Sequence, residues 1–207
     1  MPWQSVDGWL DELASGTPTP GGGGAAALTA ATGAALVSMV CQLTIGKPRY
    51  AEHEEKLRAV LTEATALRGQ ALELAEADAR AFGTVIAAYR LAQATGEQKQ
   101  ARGEAIQAAL AAAADVPLRV AALAAAVIRL AADIVDRSNV NVLSDVAVAA
   151  VTARAALEAA AINVEVNRAG LTGTGTRARL AGQLAAHTGA AAAADAVAAQ
   201  VRVRLAG

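Results

Sequence analysis

Residues 51–94 read AEHEEKLRAVLTEATALRGQALELAEADARAFGTVIAAYRLAQA, and the spacing of their apolar side chains decides the fold. Leu57, Leu61, Ala64, Leu67, Ala71 and Leu74 recur three or four apart with Glu, Lys and Arg between them, which predicts one long amphipathic helix from about Ala51 to Ala94. Continued at the same spacing, the inward stripe passes through Asp78 and then Phe82, Val85 and Tyr89. A carboxylate therefore stands where an apolar residue is expected. Desolvated on such a face, its pKa rises toward what general acid–base chemistry near neutral pH requires. A buried Asp that bonds a neighbouring helix, or one solvated on a slightly rotated helix, fits the same pattern.

Outward from this stretch the chain keeps the 3.6-residue period and shows no sustained alternation of period two. Trp9, Leu10 and Leu13 follow a capping Asp7 and give a short first helix ending near Ser15-Gly16. The run Thr17-Pro18-Thr19-Pro20-Gly21-Gly22-Gly23-Gly24 interrupts it. A second helix is predicted from about Ala25 to Thr44, broken by Gly46-Lys47-Pro48. After Thr95-Gly96 a fourth covers Gln98 to Ala114. Asp115 ahead of Pro117 marks the start of a fifth, which ends near Ser138. A sixth spans about Asn141 to Asn167, Thr172–Thr176 is a loop, and a last helix reaches the C-terminus. The expectation is an all-α, single-domain antiparallel helical bundle over residues 1–207.

Composition removes several function classes. Aromatic residues are 2% of the 207, too few for β-sandwiches or for stacking of nucleic-acid bases. The net charge of −1 provides no basic excess for phosphates, so no nucleic-acid partner is expected. One cysteine, Cys41, and two histidines, His53 and His187, leave little for a metal site, and none is expected. Between Glu12 and Lys47 no side chain is charged, and Gly21–Ile45 is long enough for a bilayer. Its Gly, Ala, Thr and Ser content instead suits a central helix approached closely by others, so no membrane span is expected. The opening Met1-Pro2-Trp3-Gln4-Ser5 lacks the cationic start of a secretory signal, and a cytoplasmic location is the default.

Two further features carry chemistry. Consecutive glycines ahead of a helix expose backbone N–H groups and the positive end of the helix dipole, a place for a carboxylate, a phosphate or a developing negative charge. The same run also serves as a spacer that lets two helices pass closely. Asn163 and Asn167 lie four apart in an Ala-rich helix, hence on one face, and suggest hydrogen bonds to a helix, a subunit or a ligand. Asn139, Asn141, Ser144 and Asp145 cluster at a helix start, where capping alone accounts for them.

Taken together, these segments resemble the cyclodeaminase/cyclohydrolase family, the C-terminal half of formiminotransferase-cyclodeaminase and its stand-alone bacterial relatives. The matching pieces are 9–15 (WLDELAS), 18–23 (PTPGGG), 39–47 (MVCQLTIGK) with Tyr50, and 78–82 (DARAF). Val116-Pro117-Leu118, Asn139 with Ser144-Asp145, and 163–167 (NVEVN) follow in the family's order. Family sequences usually carry Ser after the three glycines, here Gly24, and often Pro after the Leu matching Leu91, here Ala92.

The resemblance implies a homodimer acting on a tetrahydrofolate derivative, with no cofactor beyond that substrate. It implies a formiminotetrahydrofolate cyclodeaminase, a lyase releasing ammonia, with Asp78 as general acid/base. The alternatives are a methenyltetrahydrofolate cyclohydrolase and a non-catalytic bundle that binds a folate or a protein. No formiminotransferase segment lies within the 207 residues, which leans toward the cyclohydrolase. Pro20, Gly21, Gly22, Gly23 and Lys47 are then expected to position the substrate. Asn139, Asp145, Asn163 and Asn167 are expected along the donor and acceptor edge of its pterin. A chain this apolar also leaves helical faces that a two-fold dimer would bury.

Overall fold

The computed structural model describes residues 5–206, so the reading of the first four residues lies outside them. Seven α-helices follow one another: α1 Val6–Ala14, α2 Gly22–Gln42, α3 Glu54–Tyr89, α4 Gly96–Ile134, α5 Leu143–Ala169, α6 Thr174–Thr188 and α7 Ala190–Leu205. Short 3-10 turns at Pro48–His53 and Val140–Val142 lead into α3 and α5, and no strand occurs among the described residues. The bundle is all-α, as the periodicity requires.

α2 packs against α3, α5 and α4. Small side chains make this possible: Ala26, Ala27, Ala30, Ala31 and Ala34 are buried along it. A Cβ at Gly33 would lie 3.2 Å from the Ala149 carbonyl and 3.4 Å from the Ala153 methyl, so the α2 and α5 backbones meet at glycine distance. Cys41 is fully buried at the end of this face, where desolvation pushes its thiol up to about 11. Leu57, Val60, Ala64, Ala71 and Leu74 of α3 supply the opposing wall. α2 is not wholly enclosed, however. Thr32 and Met39 stay exposed, and Leu28 and Leu36 are only half-buried.

Several boundaries differ from the sequence reading. The segment read as two helices meeting at Asp115–Pro117 is one helix of 39 residues with Pro117 inside it. An interior proline costs a helix about 3 kcal/mol. Ile106 and Leu110 before it and Leu118 and Leu123 after it are buried, and each such side chain contributes about 1.5–3 kcal/mol. Packing on both sides outweighs the break. α3 ends at Tyr89, and Thr95 caps α4 through a reciprocal pair with Gln98. The expected loop over Thr172–Thr176 is cut short because α6 begins at Thr174, and the single last helix divides at Gly189.

By length and composition α2, α4 and the Val140–Ala169 stretch could each cross a membrane. Of their most apolar 18-residue windows, 61%, 56% and 39% respectively are buried inside the protein. The α5 face is the least covered of the three.

Candidate functional site

α2 is 21 residues long between helices of 36 and 27 residues, and it begins beside Asp78 of α3 and Asn163 of α5. Its neighbours run on past that point. Where α2 is missing from its row, a cleft of about 330 Å³ opens, within the lower part of the ~300–1,000 Å³ typical of small-molecule sites. One wall is Asp78, Ala81, Phe82 and Val85 of α3; the other is Asn163, Val166 and Asn167 of α5. Leu110 and Ala113 of α4 form the floor, and Pro18, Thr19 and Gly21–Gly23 close the end. Pro117 carries no N–H, so the Ala113 carbonyl on this floor lacks its usual intrahelical donor.

Asp78 is half-buried in the α3 wall. Its Oδ2 accepts the backbone N–H of Gly24 at 3.1 Å. Desolvation raises its pKa above the ordinary Asp value, and the Gly24 bond offsets part of that rise. The carboxyl and the glycine run fit each other closely. A Cβ at Gly23 would sit 2.1 Å from Asp78 Oδ1 and 2.4 Å from its carboxyl carbon, so any side chain there displaces the carboxylate. Gly22 and Gly23 occupy the first turn of α2, whose N–H groups have no intrahelical acceptor. At Gly24 a Cβ would meet nothing nearer than 3.8 Å, so the missing family serine is not excluded by space.

Asn163 and Asn167 share the opposite wall. Each donates its side-chain NH₂ back along α5, to the Ala159 carbonyl at 2.8 Å and the Asn163 carbonyl at 3.0 Å. Their Oδ1 atoms are left as acceptors on a cleft that Asp78 and the glycine N–H groups also line.

The structure thus gathers Asp78, Gly21, Gly22, Gly23, Asn163 and Asn167 at one place, with Pro20 in the loop behind them. It does not bring Lys47, Asn139 or Asp145 there. Those three lie at the other end of α2, about 30 Å along its axis. Asn139 is buried and fully used. Its backbone N–H donates to Thr44 Oγ1 at 3.0 Å and its Nδ2 to the Leu43 carbonyl at 3.2 Å, while its Oδ1 accepts the Asn141 N–H. It fastens the entry to α5 onto the end of α2, the capping role that sequence alone allowed. Asp145 stands in the first turn of α5 and Lys47 is exposed.

Phe82 and Tyr89, placed by periodicity on the inward face, are 39% and 48% exposed. α3 outruns α2 there, so neither ring is enclosed: Phe82 becomes a wall of the cleft, and Tyr89 lies under the Arg102 guanidinium, 5.7 Å from its ring centre. Val166, Leu110 and Thr19 were not singled out by sequence. Phe82 alone carried a signal, being one turn beyond Asp78. Among the described residues no three His, Cys, Asp or Glu side chains gather as metal ligands, and His53 and His187 are half-buried far apart on the chain.

Comparison with known proteins gives the family. Residues 5–186 match the family model described as formiminotransferase-cyclodeaminase. The chain is 48% identical over 168 residues to a methenyltetrahydrofolate cyclohydrolase of Methylorubrum extorquens, covering 81% of each. It is 33% identical over 168 residues to the formimidoyltransferase-cyclodeaminase of Mus musculus, spanning 31% of that longer protein. The crystal structure of a formiminotetrahydrofolate cyclodeaminase from Thermotoga maritima superposes over 98% of both chains with a TM-score of 0.88, at 24% identity. With most of its length matched by the family model and by a relative of this identity, the chain belongs to the formiminotransferase-cyclodeaminase family of folate one-carbon enzymes.

Proposed function

We propose that the chain hydrolyses methenyltetrahydrofolate to formyltetrahydrofolate, with Asp78 moving the proton. The observation that carries this reading is a half-buried carboxyl, raised in pKa, on the wall of a cleft that is otherwise uncharged. Support for the choice of reaction comes from the cyclohydrolase relative, which is matched over most of both chains.

Water adds to the cationic methenyl carbon, and the ionised Asp78 carboxyl takes its proton. The tetrahedral adduct then releases its remaining hydroxyl proton to solvent as the formyl carbonyl forms, and the ring nitrogen it expels receives the first proton from the same carboxyl. Before the attack, the carboxylate also stabilises the adjacent cation, and more strongly than it would in water. Asn163 Oδ1 and Asn167 Oδ1 suit the amino and N–H donors of a pterin, and Phe82 offers an aromatic face to the rest of the molecule. Gly23 keeps the carboxyl at the cleft, and Gly24 fixes it with one backbone bond.

The test follows the loss of methenyl absorbance with purified protein. Faster loss than in buffer, abolished in Asp78→Asn, supports the proposal. Ammonia release from formiminotetrahydrofolate without methenyl hydrolysis would instead support the cyclodeaminase reading, for which the same proton shuttle serves. Binding of both folates without turnover of either would leave the non-catalytic bundle.

A further inference from the structure

Pro117 stands inside α4 although a proline opposes helix there, and its effect on the preceding turn reaches the cleft. Leu110, Ala113 and Pro117 are three and four residues apart, share one face of α4 and are all buried. Leu110 and Ala113 form the floor of the cleft, and Pro117 follows one turn further along. Each carbonyl of a helix points along the axis to the N–H four residues on. For Ala113 that position is Pro117, which offers a ring carbon instead of a donor and crowds the carbonyl outward. No backbone N–H of another element donates to it among the described residues. A buried carbonyl without its partner takes a donor from whatever occupies the space beside it. Here that space is the cleft.

Two more acceptors line the adjoining wall. Asn163 and Asn167 turn their NH₂ groups back to α5 carbonyls and leave both Oδ1 atoms to the cleft. The rest of the lining that α4 and α5 contribute is Leu110 and Val166, both apolar. Such a set fits a ring whose edge carries N–H groups. A ring with a bare nitrogen at that place sets acceptor against acceptor and leaves a buried group unpaired on each side.

We propose that the Ala113 carbonyl, released by Pro117, accepts a hydrogen bond from an N–H of the substrate's ring, and that Pro117 thereby sets the cleft's preference for a donor-rich ring. The assignment rests on the folate reading above, in which a tetrahydropterin presents N–H groups at its 2-amino group, N3 and N8. The proline that weakens the helix is then the means by which one backbone acceptor is kept for the ligand. Pro117 touches no reacting atom and is a positioning residue.

Two replacements at this position separate the missing N–H from the shape of the proline ring. Pro117→Ala supplies the N–H. Replacing Pro117 with lactic acid, introduced by nonsense suppression, gives the same methyl group with an ester oxygen where that N–H would be. Both should keep α4 helical by circular dichroism, since proline is the poorest residue for a helix interior. Calorimetry with tetrahydrofolate should show Kd about tenfold higher in Pro117→Ala, the loss of one hydrogen bond to the ligand, and close to the parent value with lactic acid. KM for methenyltetrahydrofolate should follow Kd, with a much smaller change in kcat. The tail-less probe 6-methyltetrahydropterin should lose affinity by the same factor, because the donor is on the ring. An unaltered Kd in Pro117→Ala, an equal rise in both variants, or a rise confined to tetrahydrofolate and absent with 6-methyltetrahydropterin overturns the proposal. A parent protein that binds neither probe overturns the folate reading itself, a result distinct from any difference between the variants.

Discussion

The two ends of α2 hold residues of similar type and opposite fate. At the C-terminal end Asn139, Thr44 and Tyr50 bond to one another's segments, the Tyr50 hydroxyl accepting the Val140 N–H at 3.1 Å, and the helix junction is closed. At the N-terminal end the first-turn N–H groups, the Asn163 and Asn167 oxygens and the Asp78 carboxyl face a hollow. Polar groups that satisfy each other build structure; polar groups that converge on space are available to a substrate. The difference arises from length, because α2 stops short of its neighbours at one end only.

Substitutions at the two ends should therefore fail differently. Asp78→Asn should lower kcat by about 10²–10⁴-fold, the usual contribution of one acid–base group, and leave the fold intact by circular dichroism. Gly23→Ala should come next, with about a 10²-fold loss, because the new methyl pushes the carboxyl away from its place while α2 remains helical. Asn139→Ala should invert the pattern. It removes two partly buried side-chain hydrogen bonds and should cost about 1–3 kcal/mol in denaturant unfolding, with kcat of the folded protein unchanged. An equal loss of kcat there would erase the distinction between the ends. Gly24→Ser should have the smallest effect, since its Cβ meets only ordinary contacts, and kcat should stay within a few-fold of the parent, as assayed on methenyltetrahydrofolate.

Stability should also depend on Asp78, with a sign that follows from its raised pKa. The folded state holds the proton more tightly than the unfolded one. The stability linked to Asp78 is therefore full below its unfolded pKa and is lost as pH rises through its folded pKa. At pH 7 the parent bears the cost of a half-buried charge, so Asp78→Asn should be more stable by about 1 kcal/mol or less, and the gain should vanish in acid. Urea midpoints at two pH values measure it.

Much of this was legible before any coordinates. Period 3.6 found the helices, and the acid breaking the α3 stripe stands on the wall of the cleft. The small residues of α2 foretold the close approach at Gly33. What sequence did not reveal is where helices end relative to one another. Pro117 looked like a boundary because local propensity opposes it, whereas burial on both sides keeps α4 continuous. Phe82 looked like core because its period matches Leu74, yet core needs a neighbour, and α2 does not extend that far. Lys47, Asn139 and Asp145 resembled site residues through their motifs, and only the fold separates them from the cleft by the length of a helix.

The most direct test of the central claim is to titrate the Asp78 carboxyl by carbon-13 NMR alongside the pH dependence of kcat/KM for methenyltetrahydrofolate. The account predicts one shared midpoint, above the ordinary aspartate value, with activity falling as pH drops through it and that limb absent in Asp78→Asn. A carboxyl that titrates at or below the ordinary value, or an acid limb that persists without it, would contradict the account.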